Sequence, residues 1–129
     1  MSVAILCTAL LGLLVFGLGM AVSIQRGQTN TLFGANPDPA DRMYRLIRAH
    51  GNATEFAPML AVLILYLGAQ GAGTWVVWTM VIVTACRYLH VAGMLMGPSL
   101  EQVQPLRFVG ALGTYLGGLA LCVALFMTG

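Results

Sequence analysis

The sequence predicts an all-α integral membrane protein, a four-transmembrane-helix bundle forming one domain over residues 1–129. Three observations predict it. Of the 129 residues, 59% are hydrophobic and 8% charged, and the mean hydropathy is +0.87; an average soluble domain has about 25% charged residues. Four apolar runs each approach the roughly 20 residues that cross a bilayer. The stretches between them collect Gly, Pro, Asn and Asp, the residues of turns and loops.

The first run, Val3 to Ile24, carries no charge and is long enough to span a core of about 30 Å. A cleaved leader is disfavoured. No basic segment precedes the run, its apolar stretch exceeds the usual ~7–15 residues, and Ala21-Val22-Ser23 is a weak cleavage match. A retained first helix is expected, with Gly12, Gly17 and Gly19 open to close helix contact or to lipid. Gln25 to Asp41 is a polar loop with several helix breakers. Asp38 or Asp41 is expected to cap the second helix, with Pro39 in its first turn. That helix should run from Pro39 or Ala40 to Gly68, longer than a bilayer requires, with a kink at Pro58. Gln70 to Gly73 is a tight connection. The third span is Thr74 to Met96, and a short loop over 97–105 leads to the fourth, Leu106 to Met127, with glycines at 110, 113, 117 and 118. The small residues of helices one and four suit an oligomer.

Charge sets the orientation. Arg26, Arg42, Arg45, Arg48 and Arg107 all lie in or beside the first and third loops, and the second loop and both termini carry no Arg or Lys. The positive-inside rule puts loops one and three in the cytoplasm and the termini on the opposite side. Formal net charge is only +2, and no basic stripe on a soluble fold is present, so nucleic acid is excluded as a partner. Cys7, Cys86 and Cys122 are far apart in apolar runs. They show neither metal spacing nor a disulfide framework, and read as small packing residues.

The polar groups gather around one stretch, Arg42 to Pro58. In a helix, Arg45, Arg48, Asn52 and Glu55 share a face, an arc of about 80°. Arg87 and His90, one turn apart, share a face of helix three, which Met94 continues, and Arg107 opens helix four. Ionisable groups inside a membrane cost several kcal/mol unless they pair or line a cavity, so they mark a functional site by default. A metal centre would need converging His, Cys or carboxylate ligands, and the arginine-rich setting repels cations. An ion pathway would spread its groups through the membrane's depth. No Ser-His-Asp set exists. An anion site remains, because arginine is always charged and makes forked hydrogen bonds to carboxylates. One carboxylate among the arginines suits a ligand that also bears an ammonium, which fits glutathione. The structural alternative stays open: Glu55 neutralises Arg48 or Arg87, and Arg42, Arg45 and Arg26 snorkel to the interface.

The motifs resemble those of the MAPEG family (membrane-associated proteins in eicosanoid and glutathione metabolism). Arg48-Ala49-His50-Gly51-Asn52-Ala53-Thr54-Glu55 is similar to its RAxxNxxE signature at the start of helix two. Arg87-Tyr88-Leu89-His90 resembles its third-helix RxxH segment, and Gln104-Pro105-Leu106-Arg107 resembles the QPxR opening of helix four in microsomal glutathione transferases. The wording looks most like a short bacterial branch. The resemblance implies a homotrimer in a bacterial inner membrane, with glutathione as co-substrate bound between subunits near the cytoplasm. It implies that Asn52, Glu55, Arg87 and His90 bind glutathione or build its pocket, that Arg48 supports it, that Arg26 reaches the tripeptide, and that Arg107 stabilises the thiolate. Three positions depart from related enzymes: Met94 stands where a tyrosine is common, Phe108 where the prostaglandin synthase type has serine, and Gly51 where some members are basic. The implied activity is a glutathione transferase or peroxidase acting on lipophilic electrophiles. The alternative is a non-catalytic binder of a lipid or small acid.

Overall fold

A computed structural model describes residues 1–129. The chain is four helices: α1 Val3–Thr29, α2 Arg42–Ala69, α3 Thr74–Met96 and α4 Pro105–Phe126. Each is long and apolar enough to cross a membrane. Large side chains such as Leu13, Phe16, Val62, Trp78, Leu119 and Val123 point outward, the arrangement of a bundle bathed in hydrocarbon rather than water.

Two helix ends differ from the expectation by more than one residue, each for a local reason. α1 continues past Ile24 to Thr29. Its last turn is closed by Asn30 in the left-handed region (φ 52°), whose amide donates to the Arg26 carbonyl. α2 starts at Arg42 rather than at Pro39 or Ala40. Asp38 holds a separate turn, accepting the Ala40 amide on its carboxylate at 2.9 Å. Asp41 is the helix cap and accepts the Tyr44 amide at 3.0 Å. Pro58 lies inside α2 without ending it, and its missing amide leaves the Thr54 carbonyl without the usual helical donor. The α2–α3 connection turns at Gly71, whose φ of 76° favours glycine.

α1 packs chiefly on α2, and α3 chiefly on α4, while α2 and α4 touch little and α1 and α4 not at all. The α3–α4 seam is built on glycines. A Cβ at Gly110 would lie 2.5 Å from the His90 amide nitrogen and 2.6 Å from the Cys86 carbonyl oxygen. One at Gly117 would lie 2.9 Å from Val83 Cβ, and one at Gly93 would collide with the Arg107 backbone. Backbones approach this closely only where the side chain is a hydrogen. The seam therefore fixes the first turn of α4, with Arg107, against the last turns of α3.

The core divides along the membrane normal. Leu11, Leu60, Ile64, Met80, Val83 and Leu121 fill the apolar half. Leu14, Leu18, Ala49, Ala53, Val91 and Met94 pack near the polar end. Met94 is thus a packing residue against α1 and α2, although it follows His90 by one turn. Tyr88 ties α3 to α1 by donating its hydroxyl to the Leu10 carbonyl at 2.8 Å.

Candidate functional site

The site is centred on Arg87, a cation only 1% exposed in the middle of a transmembrane helix. Burial of a charge at this depth requires partners. Its guanidinium donates to the Thr114 hydroxyl of α4 at 3.3 Å and to the Asn52 side-chain carbonyl of α2. Its carbon sits 5.0 Å above the centre of the Phe56 ring, a cation–π contact. Thr114 in turn donates to the Gly110 carbonyl at 2.7 Å. Arg87 therefore joins three helices. Its partners are Thr114, Asn52 and Phe56; Glu55 is not among them. One guanidinium donor, Nε, is buried with no partner.

Glu55 is exposed and stands at the polar end of a cleft of about 490 Å³ between α2 and α4. Thr114 and Tyr115 form the opposite wall, and beyond them the cleft is apolar, lined by Met59, Leu63, Leu119 and Cys122. Phe56 and Tyr115 meet edge to face across it, ring centres 5.7 Å apart. A second hollow of about 350 Å³ lies nearer the start of α4, lined by His90, Gln104, Arg107 and Phe108. His90 is 7% exposed, and its Nδ1 is buried without a partner. Arg107 is half-buried and donates to the Gln102 carbonyl at 3.3 Å.

The two hollows share one wall. Arg107, Ala111, Thr114, Gly118 and Cys122 fall on one face of α4, within an arc of about 80°. All five line one hollow or the other. This face of α4 thus begins at the Arg107 cation beside one hollow and ends among the apolar groups of the other, which carries Glu55 at its polar end.

The structure thus joins Asn52 to Arg87 and sets His90 beside Arg107; Asn52 and Arg87 themselves line neither hollow, although Arg87 touches Phe56 and Thr114 of the Glu55 cleft. It does not place Arg26 or Arg48 on either hollow. Arg26 folds back onto loop one, donating to the carbonyls of Thr31 at 3.2 Å and Gly34 at 2.9 Å. Arg48 is exposed on α2. Arg42 reaches Gln25 at 3.3 Å, and Arg45 reaches the end of α3. Sequence reasoning missed Thr114 and Phe56 as the partners of Arg87. Thr114 carried a signal, since it lies seven positions after Arg107 and so two turns along the same face; Phe56 carried none beyond adjacency to Glu55.

These features define a small polytopic membrane protein with two hollows along one face of its fourth helix, one beside Arg107 and one beside Glu55. The chain belongs to the MAPEG family, whose family model matches residues 4–127. That family includes glutathione transferases and peroxidases, and it generally uses glutathione. No curated protein matches the chain.

Proposed function

We propose that this protein is a glutathione-dependent transferase or peroxidase acting on lipophilic electrophiles that arrive from the bilayer. The observation that carries the reading is the single α4 face that runs from Arg107 past Thr114 to Cys122. A hydrophilic thiol and an apolar electrophile need such a site, with charge at one end and hydrocarbon at the other.

The roles follow from the chemistry of each group. Glu55 supplies a counter-charge for the ligand's ammonium. His90 offers a donor to the ligand's carboxylates and peptide groups, while Arg87, buried behind Phe56 and Thr114 and held by Asn52, supplies a fixed positive charge beside the cleft. Arg48 and Arg26 complete the basic surround, Arg26 by exchanging its loop carbonyls for ligand. A free thiol of the cysteine type titrates near about 8.5 and attacks only as thiolate. Arg107 stabilises that thiolate electrostatically, in a site where desolvation strengthens the interaction. The cleft is open on its outer side, which suits a homotrimer in which a neighbouring copy completes it. Loops one and three, and with them the site, face the cytoplasm.

The test is Arg107→Ala in purified protein. Conjugation of a model electrophile should fall roughly tenfold to a thousandfold, the scale of losing one preorganised electrostatic group. Glutathione affinity should fall much less, and the ultraviolet thiolate signal should vanish or move to higher pH. Arg107→Lys, which keeps charge but not the fork, should be intermediate. Wild-type turnover with an intact thiolate signal in Arg107→Ala would overturn this mechanism. Glutathione binding without any turnover in the native protein would make it a binder rather than an enzyme.

A further inference from the structure

Arg45 belongs to neither hollow, yet it makes the longest-range side-chain contacts of the α2 entrance. From the first turn of α2, its Nη1 donates to the Leu95 carbonyl at 3.3 Å and to the Gly97 carbonyl. These are acceptors at the C-terminal end of α3, where the last four carbonyls of a helix have no intrahelical donor. α3 lacks the usual remedy. Its cap, Gly97, is extended (φ −78°, ψ 164°) rather than left-handed, so no backbone amide folds back onto the open carbonyls. A guanidinium from another helix takes that place, and its charge also opposes the negative end of the α3 dipole.

The path of the loop beyond Gly97 makes this cap consequential. The loop turns at Ser99, whose carbonyl accepts the Gln102 amide at 3.3 Å. Gln102 then offers its own carbonyl to the Arg107 guanidinium at 3.3 Å. Gln104 caps α4 through the Leu106 amide at 3.3 Å. A second tie from the same side fixes the loop, since the Leu100 amide donates to the Pro39 carbonyl at 3.0 Å. Only four residues thus separate the Gly97 carbonyl that Arg45 grips from the Gln102 carbonyl that Arg107 grips.

We infer that Arg45 is a positioning residue: by capping α3 it fixes the third loop, and through Gln102 it fixes the guanidinium of Arg107. Its catalytic consequence rests on the function proposed above, but the mechanical part does not, and the two are tested separately. Hydrogen exchange is measured on the full chain in lipid nanodiscs. In Arg45→Ala, the segment from Gly97 to Phe108 should exchange about tenfold faster, the scale of losing a charged hydrogen bond, while α1 and the apolar half of α2 keep native protection. In turnover assays, Arg45→Ala should lower kcat about tenfold and leave glutathione affinity within about twofold, a split expected when a group acts on the reacting state. Arg45→Lys should recover part of both losses, and serves if the alanine variant does not fold. In an Arg107→Ala background, Arg45→Ala should cost no further turnover, because the two act as one unit. Native exchange over Gly97–Phe108 in Arg45→Ala overturns the inference whatever the turnover shows. Fully additive losses with Arg107→Ala overturn the coupling to Arg107. Faster exchange in a protein that never turns over glutathione upholds the cap and overturns the proposed function alone.

Discussion

Gly110→Ala is the substitution whose effect the structure sizes most directly. The added Cβ would stand 2.5 Å from the His90 nitrogen and 2.6 Å from the Cys86 carbonyl oxygen, where ordinary contact begins at 3.4 Å. Both are backbone atoms of α3, so no side chain can swing aside. The helices must part by about 0.9 Å at this level, or the helix must distort, and overpacking of this kind costs about 1–3 kcal/mol. The same displacement moves Arg107, less than one turn away, relative to His90. A misplacement near 1 Å can cost about a hundredfold in rate. Gly12→Ala is the control, since nothing lies within 4 Å of its added Cβ; it should be neutral or gain up to about 1 kcal/mol of helix propensity. Unfolding by sodium dodecyl sulfate in mixed micelles, followed by the fluorescence of Trp75 and Trp78 at the start of α3, reads both. If Gly110→Ala unfolds within about 0.5 kcal/mol of the native protein while retaining its turnover, α3 and α4 do not pack backbone to backbone at this glycine.

Other outcomes depend on single contacts. Glu55→Gln should weaken glutathione binding severely by calorimetry in detergent, because the ligand's ammonium loses its counter-charge; unchanged affinity would remove Glu55 from the ligand shell. Asp41→Ala should destabilise by about 1 kcal/mol in the same micelle titration, the cost of an N-cap, with Asp41→Asn close to native; equal losses in both would point to charge instead of the hydrogen bond from Tyr44. Native mass spectrometry from gentle detergents should release trimers, and monomers alone across several detergents would count against a site completed by a neighbour.

How much was legible in the sequence differs between the spans and the site. The spans are legible because their signal, a run of apolar residues as long as the bilayer is thick, needs no tertiary information. Helix ends are less so, because they depend on which of several candidate residues takes each hydrogen bond. Asp38 and Asp41 both read as caps, and only the folded loop gives a turn to one and the helix to the other. The arginine-rich end of the bundle was legible from charge distribution. The partners of Arg87 were not, because they depend on how α2 and α4 are rotated about their axes. A carboxylate is the obvious partner for an arginine on paper, yet a hydroxyl, an amide and an aromatic face surround it. Arg45 illustrates the same limit. Its spacing places it on the stripe with Asn52 and Glu55, but its length carries the guanidinium sideways to α3.

The two arginines at the heart of the site are held so differently that they suit different tasks. Arg87 is fully buried and spans three helices, and moving it would leave Asn52 and Thr114 each short of a donor and expose the face of Phe56. Such a group cannot follow a ligand; it acts as a fixed positive field, with one unspent donor, and such fixed fields need no reorganisation when charge develops. Arg107 is half-buried and held by one carbonyl at 3.3 Å. It can exchange that single neutral acceptor for an anion at little cost, since a bond to a charged acceptor is roughly twice as strong as a neutral one. Under the proposed function, a rigid cation that sets the potential and a looser one that meets the developing charge would form a division of labour. On that proposal, losing Arg87 should damage both fold and binding, whereas losing Arg107 should damage turnover first.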